Sequence, residues 1–265
     1  MQTSIAMAPL LIFAGIAFIL GLLVTLSNLK NFQRRQRILA TPTTPIAQAP
    51  GNTYVEIKGR IQPSEQGVVQ APFSGRHSVW CRITVQELRR SGRSTYWHTV
   101  LSEVDGRPFL VDDGSGQQAR VMPNGANVIL DRQCIASSGT FKDAPPHLEA
   151  FLQSRGLKST TWLGFNKSMR YEEEVLAPGD PLYAIGPSRR EPGPPVYDGY
   201  RMAPGSQLVM YQGIGAENEL ILTNKSEAEL TSKLLTGFVV GLVLLGIGVL
   251  LGVGSVLAAV ASAFV

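Results

Sequence analysis

Residues 234–265 read LLTGFVVGLVLLGIGVLLGVGSVLAAVASAFV, and this stretch decides what kind of protein the chain forms. It contains no Asp, Glu, Lys, Arg or His. A bilayer core needs about 20 apolar helical residues for one crossing, so the stretch is long enough to span it. Ser226 and Glu229 match a capping box, which predicts that the helix begins in water. We therefore assign residues 226–265 to a C-terminal helix that is transmembrane from about residue 234.

A second uncharged run, Gln2–Leu29, opens the chain. We predict that residues 1–29 form an N-terminal transmembrane helix, with its apolar span at Ile5–Leu26. A cleaved signal peptide is the alternative. Signal peptides carry basic residues ahead of an apolar run of about 7–15 residues, whereas this chain begins MQTS and its apolar run is longer. Both differences favour an uncleaved helix.

Basic residues follow the first apolar run directly. Lys30, Arg34, Arg35 and Arg37 have no acidic residue among them and account for the formal charge of +4 of the whole chain. Lys and Arg close to a membrane helix tend to stay in the cytoplasm. We therefore expect a multi-pass protein of the plasma membrane in a bacterium-like cell, with both termini outside and the soluble part in the cytoplasm. Membrane lipid is then an expected partner.

The charge pattern of the rest of the chain excludes one class of function. With the basic flank set aside, acidic and basic residues balance, and no basic face of the kind that binds nucleic acid is predicted. Arg89, Arg90 and Arg93 form the next cluster, and Ser91-Gly92 between them predicts a loop. We expect no nucleic-acid partner.

The soluble part divides into a linker and one domain. Residues 30–52 are a basic flank followed by a Pro-rich linker, in which prolines oppose a helix and polar residues oppose a core. Residues 53–225 are predicted as a β-rich domain because Tyr54–Ile61 and Val79–Leu88 alternate with the period of a half-buried strand. Strands are expected at 54–61, 79–88, 95–104, 109–111, 119–122, 128–130, 169–176, 182–185, 208–211 and 219–222.

One helix and several turns complete the predicted domain. Pro145–Arg155 is typical of a helix, with prolines at its start and Gly156 after its end. Asp112-Asp113-Gly114 and Ala177–Asp180 predict turns, and the four prolines of Pro187–Pro195 predict a loop. Glu172, Glu173 and Glu174 indicate an exposed edge strand protected by charge, with Arg170 as a partner for any glutamate that points inward. The fold class is mainly β (α+β), flanked by two transmembrane helices.

No catalytic, cofactor-binding or metal-binding constellation is visible. The five zinc-ligand candidates are Cys81, Cys134, His77, His98 and His147, and none forms a Cys-x-x-Cys knuckle. Nucleophile elbows and Gly-rich phosphate loops are missing as well. The sequence predicts no cofactor and two buried free thiols, although one disulfide bridge fits if the domain faces an oxidising compartment.

The closing helix carries glycines at a spacing that suits helix packing. Gly237 and Gly241 form one pair four residues apart, and Gly248 and Gly252 form another. Small residues at this spacing let two helix backbones approach closely. Packing against the first helix and homo-oligomerisation through another copy both fit this pattern.

The order of motifs in the middle of the chain resembles the GIDE domain family, also called the BAM ("beside a membrane") family. The segments that carry the resemblance are Val55–Gly59, Ala71–Arg76, the strand ending at Glu87, Trp97, Pro108–Gly114, Arg170–Asp180 and Tyr183–Gly186. The positions that match are Pro72, Gly75, Glu87, Asp112, Gly114, Glu173, Glu174, Pro178, Gly179, Asp180 and Gly186.

The resemblance implies a domain that contacts partner or substrate proteins. The best-known members are mitochondrial ubiquitin ligases with two transmembrane helices around this domain and a C-terminal RING zinc domain after them. A RING needs eight ligands, whereas this chain offers five candidates and ends at Val265, so we expect no RING here. The mitochondrial relatives place the domain in the intermembrane space, in contrast to the cytoplasmic side that the basic flank predicts.

The sequence therefore favours a two-pass membrane protein that presents a non-catalytic domain for interaction with a protein partner of unknown identity. Two alternatives stay open. One is a role in ubiquitin transfer, which the family resemblance implies and which would need a RING from another chain. The other is a membrane-tethered hydrolase.

Overall fold

Two structural units are present in a computed structural model, which describes residues 2–139, 142–161, 165–198 and 201–263. One unit combines residues 1–41 with residues 226–265, and the other consists of residues 42–225. The first is helical and the second is mainly β. The predicted arrangement of two long apolar terminal helices around a mainly β domain is confirmed.

Long helices form the first unit. Helices are numbered in chain order: α1 is Gln2–Ala40, α2 is Pro146–Ser154 and α3 is Glu227–Ala263. Residues 9–40 and 227–261 are long and apolar enough to cross a membrane, with mean hydropathies of 2.6 and 2.7 in their most apolar segments. The backbone N–H of Glu229 donates to Ser226 Oγ at 3.3 Å, which is the N-cap half of the predicted capping box. Helix α1 continues through the basic flank, because Lys and Arg are good helix formers.

Thirteen strands lie in the described part of the second unit, and their bounds follow. They are β1 Tyr54–Pro63, β2 Val69–Gln70, β3 His77–Ser78, β4 Trp80–Ser91, β5 Ser94–Gly106, β6 Phe109–Asp112, β7 Gln118–Val121, β8 Asn127–Val128, β9 Gln133–Ser138, β10 Met169–Leu176, β11 Pro181–Asp198, β12 Arg201–Met210 and β13 Ile221–Thr223.

Five of these strands close a small barrel. Their order is β1-β6-β7-β12-β11, and β11 pairs back with β1 from Tyr54–Pro187 to Arg60–Pro181. All neighbouring pairs of the barrel are antiparallel except β7 and β12, and short β8 and β13 form a separate parallel pair in which β13 lies antiparallel to β11. A closed five-stranded barrel with one parallel pair in this order has the connectivity of the OB fold. Such barrels host unrelated functions, so the topology alone assigns none.

Alternating side chains of the barrel strands fill its interior. Strand β1 contributes Val55, Ile57 and Ile61, which are at most 3% exposed. The same cluster contains inward residues of the other strands: Phe109, Val111, Ala119, Val121, Leu182, Ala184, Leu208, Met210 and Leu222. The period of two in the sequence therefore reports burial on one face of each strand.

A second, four-stranded sheet is built from insertions between the barrel strands. Its order is β5-β4-β10-β9, with β4 and β5 inserted after β1, and with β9, α2 and β10 inserted before β11. Helix α2 packs on this sheet through Leu148 and Leu152, which are fully buried. The predicted helix at 145–155 is confirmed within one residue at each end.

The segment that joins α1 to β1 is part of the β unit and not a solvated linker. Ile46 and Ala49 are 0% and 1% exposed and belong to the barrel core. Arg190 fixes this segment by donating to the carbonyl oxygens of Ile46, Ala47 and Ala49 at 2.9–3.2 Å. The expectation that this segment contributes no core was wrong, because Ile46 and Ala49 are buried among its polar residues and prolines.

Three local predictions were also wrong. Pro187–Pro195 lies within β11, which pairs with β12 through a register shift between Gly193 and Val196. Arg89–Arg93 belongs to a regular hairpin, in which Ser91 pairs with Ser94. Strand β10 is central, because β4 and β9 flank it, so it is not an exposed edge. Side-chain patterns do not reveal which strands become neighbours over long sequence separations.

Candidate functional site

Three consecutive glutamates lie in the middle of the second sheet. Glu172, Glu173 and Glu174 in β10 are 8%, 1% and 5% exposed. Successive side chains of a strand point to opposite faces, so Glu172 and Glu174 share one face and Glu173 occupies the other. Burying a carboxylate is costly unless charge or hydrogen bonds compensate it. The partners of each glutamate therefore indicate its role.

The glutamates on the shared face are paired with arginines. Glu172 forms two ion pairs. Its Oε1 lies 3.1 Å from Arg170 Nε, and its Oε2 lies 3.4 Å from Arg132 Nη1. Glu174 pairs with Arg82 at 3.1 Å across the β4–β10 ladder. The expected partner Arg170 thus contacts Glu172. These pairs neutralise the buried charges and join β10 to β4 and to the residue just before β9.

Glu173 has a different environment. Its Oε1 accepts the backbone N–H of Phe73 at 3.0 Å. Its Oε2 is buried and accepts no hydrogen bond from the described residues. The carboxyl therefore holds the loop at residues 71–76, which is one of the family-like motifs, against another such motif in β10.

The loop at 71–76 is fixed by local bonds and by Phe73. Gly75 has a positive φ of 70°, and its N–H donates to Ala71 O at 2.9 Å. The Phe73 ring makes edge contacts with Phe151 and Tyr171 at centroid distances of 5.3 and 5.8 Å. Pro72 is exposed at the loop surface. The loop therefore presents Pro72 outward while Phe73 fastens it to the core under α2.

His147 contacts a backbone carbonyl, and the thiol of Cys81 is buried. A ring nitrogen of His147 lies 3.3 Å from Phe73 O. Burial raises the pKa of the Cys81 thiol to about 11, and the charges of Asp105 and Glu173 add to this effect. A thiol with such a pKa stays protonated and is a weak nucleophile.

The structure answers the disulfide question directly. Cys81 and Cys134 are both free, and Cys134 is exposed. The expectation of two free thiols is therefore confirmed, but the expected burial of Cys134 was wrong. Its strand β9 is the outer strand of the sheet, where the side chain reaches solvent.

The motif Pro178-Gly179-Asp180 joins the second sheet to the barrel. Asp180 Oδ2 accepts the N–H of Ala177 at 2.9 Å, and Gly179 adopts a φ of 88° that favours glycine. The N–H of Gly179 donates to Ile61 O at 2.8 Å, and the N–H of Ile61 donates to Asp180 O at 3.0 Å. This turn therefore bonds to strand β1 of the barrel.

Two other family-like positions belong to a tight turn. Asp112 Oδ1 accepts the N–H of Gly114 at 2.8 Å in the β6–β7 hairpin. The next residue, Asp113, accepts the N–H of Ile46 at 2.7 Å. Burial alone would raise the pKa of Asp113, but hydrogen bonds from Ser115 and Ile46 outweigh burial and lower the pKa below its ordinary value. This turn therefore fixes the segment that covers the barrel.

The remaining motif positions, Gly186 and Glu87, also have local structural roles. A Cβ added at Gly186 would lie 2.9 Å from Leu220 Cα, so only glycine fits there. Glu87 pairs with Arg89 at 3.1 Å and with Lys167 at 3.3 Å. Burial would raise the pKa of Glu87, but the hydrogen bond from Arg89 and the charge of Lys167 lower it overall.

Three of the four helix glycines face α1 within the helical unit. A Cβ at Gly241 would lie 2.6 Å from Thr25 N, and one at Gly248 would lie 2.6 Å from Phe18 N. Gly237 lies against the Asn28 side chain. Gly252 has no such neighbour within 4 Å. Three glycines of the Gly-x-x-x-Gly pattern therefore let α3 pack closely against α1 of the same chain.

Sequence reasoning did not identify a cavity at one end of the barrel. It has a volume of about 650 Å³, and Tyr54, Pro187 and Tyr211 contribute to its wall. Ile214, between Gly213 and Gly215, also lines it and is 94% exposed. In the sequence, an Ile between two glycines predicts a loop with one large apolar side chain, but only the structure shows that a cavity lies beside this residue.

The site residues thus fall into separate groups. Glu173 and the loop containing Pro72 and Gly75 come together, whereas the turns at 112–114 and 177–180 lie at other points of the β unit. No three His, Cys, Asp or Glu side chains of the described residues are placed to hold a metal ion. The described carboxylates of these motifs accept hydrogen bonds from backbone N–H groups, from basic side chains or, at Asp112, from the Gln62 amide, and these contacts hold segments of the fold together.

Comparison with known proteins adds no assignment. No family model, no curated protein and no solved structure matches this chain. The similarity to the GIDE family therefore stays a prediction that depends on the motifs themselves.

Proposed function

We propose that this chain is a two-pass membrane protein whose β unit is a non-catalytic module that binds another protein. The GIDE-type resemblance suggests a protein-contact role, and the apolar terminal helices support attachment to a bilayer. Residues 9–40 and 227–261 have the required length and hydropathy. The membrane we propose is the plasma membrane of a bacterium-like cell, with the β unit in the cytoplasm, as the basic flank favours.

The exposed Ile214 beside the barrel-end cavity is the observation that carries the interaction role. Protein interfaces are centred on a few apolar or aromatic residues that fill pockets, and the rim around them is polar. Here a solvated Ile borders a cavity whose wall includes two tyrosines and the polar side chains of Asn52, Gln212 and Asn218. A partner that covers Ile214 and inserts a side chain into the cavity would remove this apolar surface from water.

Site-specific photo-crosslinking in cells tests the interaction role. A benzophenone side chain at position 214 should give a discrete adduct with one protein. The same group at Val68, which is 38% exposed and does not line this cavity, is the control. Equal adducts from both positions, or none from position 214, would contradict the proposal.

The native cysteines test membrane attachment and orientation. The chain should stay with membranes after alkaline carbonate extraction. A membrane-impermeant maleimide should label exposed Cys134 only after the cytoplasmic side is opened. Labelling of intact cells would place the β unit outside, and extraction by carbonate would overturn the two-pass proposal. No contact among the described residues specifically favours ubiquitin transfer or hydrolysis.

A further inference from the structure

A hairpin at the end of the second sheet projects into solvent. Strands β4 and β5 pair from Trp80–Gly106 to Ser91–Ser94. Every residue from Leu88 to Thr99 is exposed, so both faces of this part of the hairpin contact water. We call residues 88–99 the basic hairpin. This exposure is unusual because the hairpin carries three large apolar side chains. Leu88, Tyr96 and Trp97 are 38%, 47% and 39% exposed.

The charge of the basic hairpin has one sign. It contains Arg89, Arg90, Arg93 and His98 and no Asp or Glu. Arg89 pairs with Glu87, whereas Arg90 and Arg93 form no ion pair within the described residues. Two guanidinium groups are thus available to an anionic partner. Arginine suits phosphate groups especially well, because its planar fork of donors matches the oxygens of a phosphate.

Aromatic side chains accompany these arginines. Tyr96 lies opposite Arg89 in the hairpin, and Trp97 lies opposite Leu88. The guanidinium of Arg170 covers the Trp97 ring at 4.5 Å and leaves part of the ring exposed. Tyr and Trp are enriched where a protein meets the headgroup layer, because each ring has an apolar body and a polar tip.

We propose that the basic hairpin binds the anionic headgroups of the bilayer in which the helices are inserted. This inference depends on the proposed membrane attachment. Helix α1 continues for 14 residues past its apolar span and ends at Ala40, and α3 begins at Glu227, seven residues before its own span, so the β unit at 42–225 is tethered to the bilayer at both ends by short stretches of chain. Short tethers create a high local concentration of the hairpin near lipid. The proposed cytoplasmic side also carries the more negative leaflet.

Charge complementarity sets the expected strength of binding. One basic residue near an anionic surface strengthens association about fivefold, so loss of Arg90 and Arg93 weakens it about 30-fold. Because the surface potential is screened within a Debye length, added salt should weaken the contact. A hairpin that bound only through Tyr96 and Trp97 would show neither effect.

Fluorescence quenching of Trp97 in vesicles containing the full chain tests the proposal. The vesicles contain phosphatidylcholine with brominated acyl chains, either alone or mixed with phosphatidylglycerol. The Trp97 contribution is the difference between the parent protein and W97F. We expect this contribution to be quenched in anionic vesicles, and the quenching to be lost in neutral vesicles, at high salt and in R90S/R93S.

The double variant R107S/R120S is the matched control. Arg107 and Arg120 are exposed, form no ion pair in the described residues, and lie outside the hairpin. This control removes the same charge and should keep the quenching. Equal quenching in neutral and anionic vesicles, equal loss in both double variants, or no quenching of inserted protein would overturn the lipid proposal alone. Protein that carbonate extracts from the vesicles would overturn the proposed membrane attachment and this inference together.

Discussion

The backbone N–H of Phe73 donates to Oε1 of Glu173 at 3.0 Å, and this bond joins residues separated by 100 positions. One partner lies in the loop at 71–76, and the other lies in the central strand β10 of the second sheet. Both groups are buried, so neither can exchange this bond for water. The segments that suggested the GIDE family from sequence therefore meet at a buried hydrogen bond.

Replacing Glu173 should separate its role as an acceptor from its charge. In E173L the Phe73 N–H loses its acceptor and stays buried, and we expect a loss of about 1–3 kcal/mol in the free energy of unfolding. In E173Q the amide oxygen can still accept this bond, so the loss should be smaller. Urea unfolding of the full chain in detergent measures both values.

A leucine at Glu65, which is exposed on the same unit, controls for the loss of a surface charge and should change the unfolding midpoint little. Equal destabilisation by E173Q and E173L would contradict the acceptor role of Glu173.

Gly186 should not tolerate even a methyl group. The Cβ of alanine would lie 2.8 Å from Leu220 Cδ1 and 2.9 Å from Leu220 Cα, so the backbone would have to move. Overpacking of this kind costs about 1–3 kcal/mol, and G186A should lower the urea midpoint accordingly. At Gly139 the nearest atom would be Ser168 Oγ at 3.8 Å, so G139A is the matched control. A G186A protein as stable as G139A would show that β11 and Leu220 are not in close contact.

The two cysteines should differ strongly in reactivity. With a pKa of about 11, only about one part in a thousand of Cys81 is thiolate at pH 8, and the side chain is also buried. Iodoacetamide should therefore modify exposed Cys134 in the folded protein and reach Cys81 only after denaturation. Mass spectrometry of peptides from native and urea-treated samples would measure both sites. Rapid modification of Cys81 in the native protein would contradict its burial.

The same pKa predicts a loss of stability at high pH. The pKa of Cys81 is higher in the folded state than its ordinary value of 9.0, so the folded protein holds the thiol proton more tightly. The protonated thiol therefore contributes to the free energy of unfolding. That contribution is fully present below about pH 9 and is lost as the pH rises towards 11. Unfolding midpoints of the parent and C81A should therefore converge over this interval. A constant difference across the interval would exclude the thiol as the cause.

Local structure was predictable wherever neighbouring residues determine it. Examples are the N-cap at Ser226, the helix at Pro146–Ser154 and the β6–β7 hairpin, each of which follows from residues close together in the sequence. Closure of the barrel was not predictable, because it depends on β1 pairing with β11 across more than 100 residues of chain. The central position of β10 has the same origin. Three buried glutamates looked like an edge strand, since the groups that compensate them, Arg82, Arg132 and the Phe73 N–H, come from distant segments.

The candidate site was predictable only in part. Glu173, Gly179 and Asp180 were identified from a motif, but the motif did not show that they join separate layers of the β unit. The cavity beside Ile214 brings together segments at 52–54, 187–188 and 211–218, and no local pattern predicts such a meeting. The basic hairpin was mistaken for a loop because Gly and Ser at its tip also suit a two-residue turn between long strands.

Helix packing offers a test in which two glycines of the Gly-x-x-x-Gly pattern in α3, Gly241 and Gly252, should behave differently. A side chain at Gly241 would meet the backbone of Thr25 in α1, whereas one at Gly252 would meet nothing within 4 Å. We therefore expect G241I to weaken the pairing of α1 with α3 by about 1–3 kcal/mol and G252I to leave it unchanged. The rings of Phe32 and Phe238 stack at a centroid distance of 4.3 Å, so cysteines at these positions should be joined by a short bis-maleimide in vesicles. The cross-linked fraction should fall in G241I and persist in G252I. If instead G252I alone changed the protein, by abolishing cross-links between copies, the pattern would serve an oligomer and not the pairing of helices within one chain.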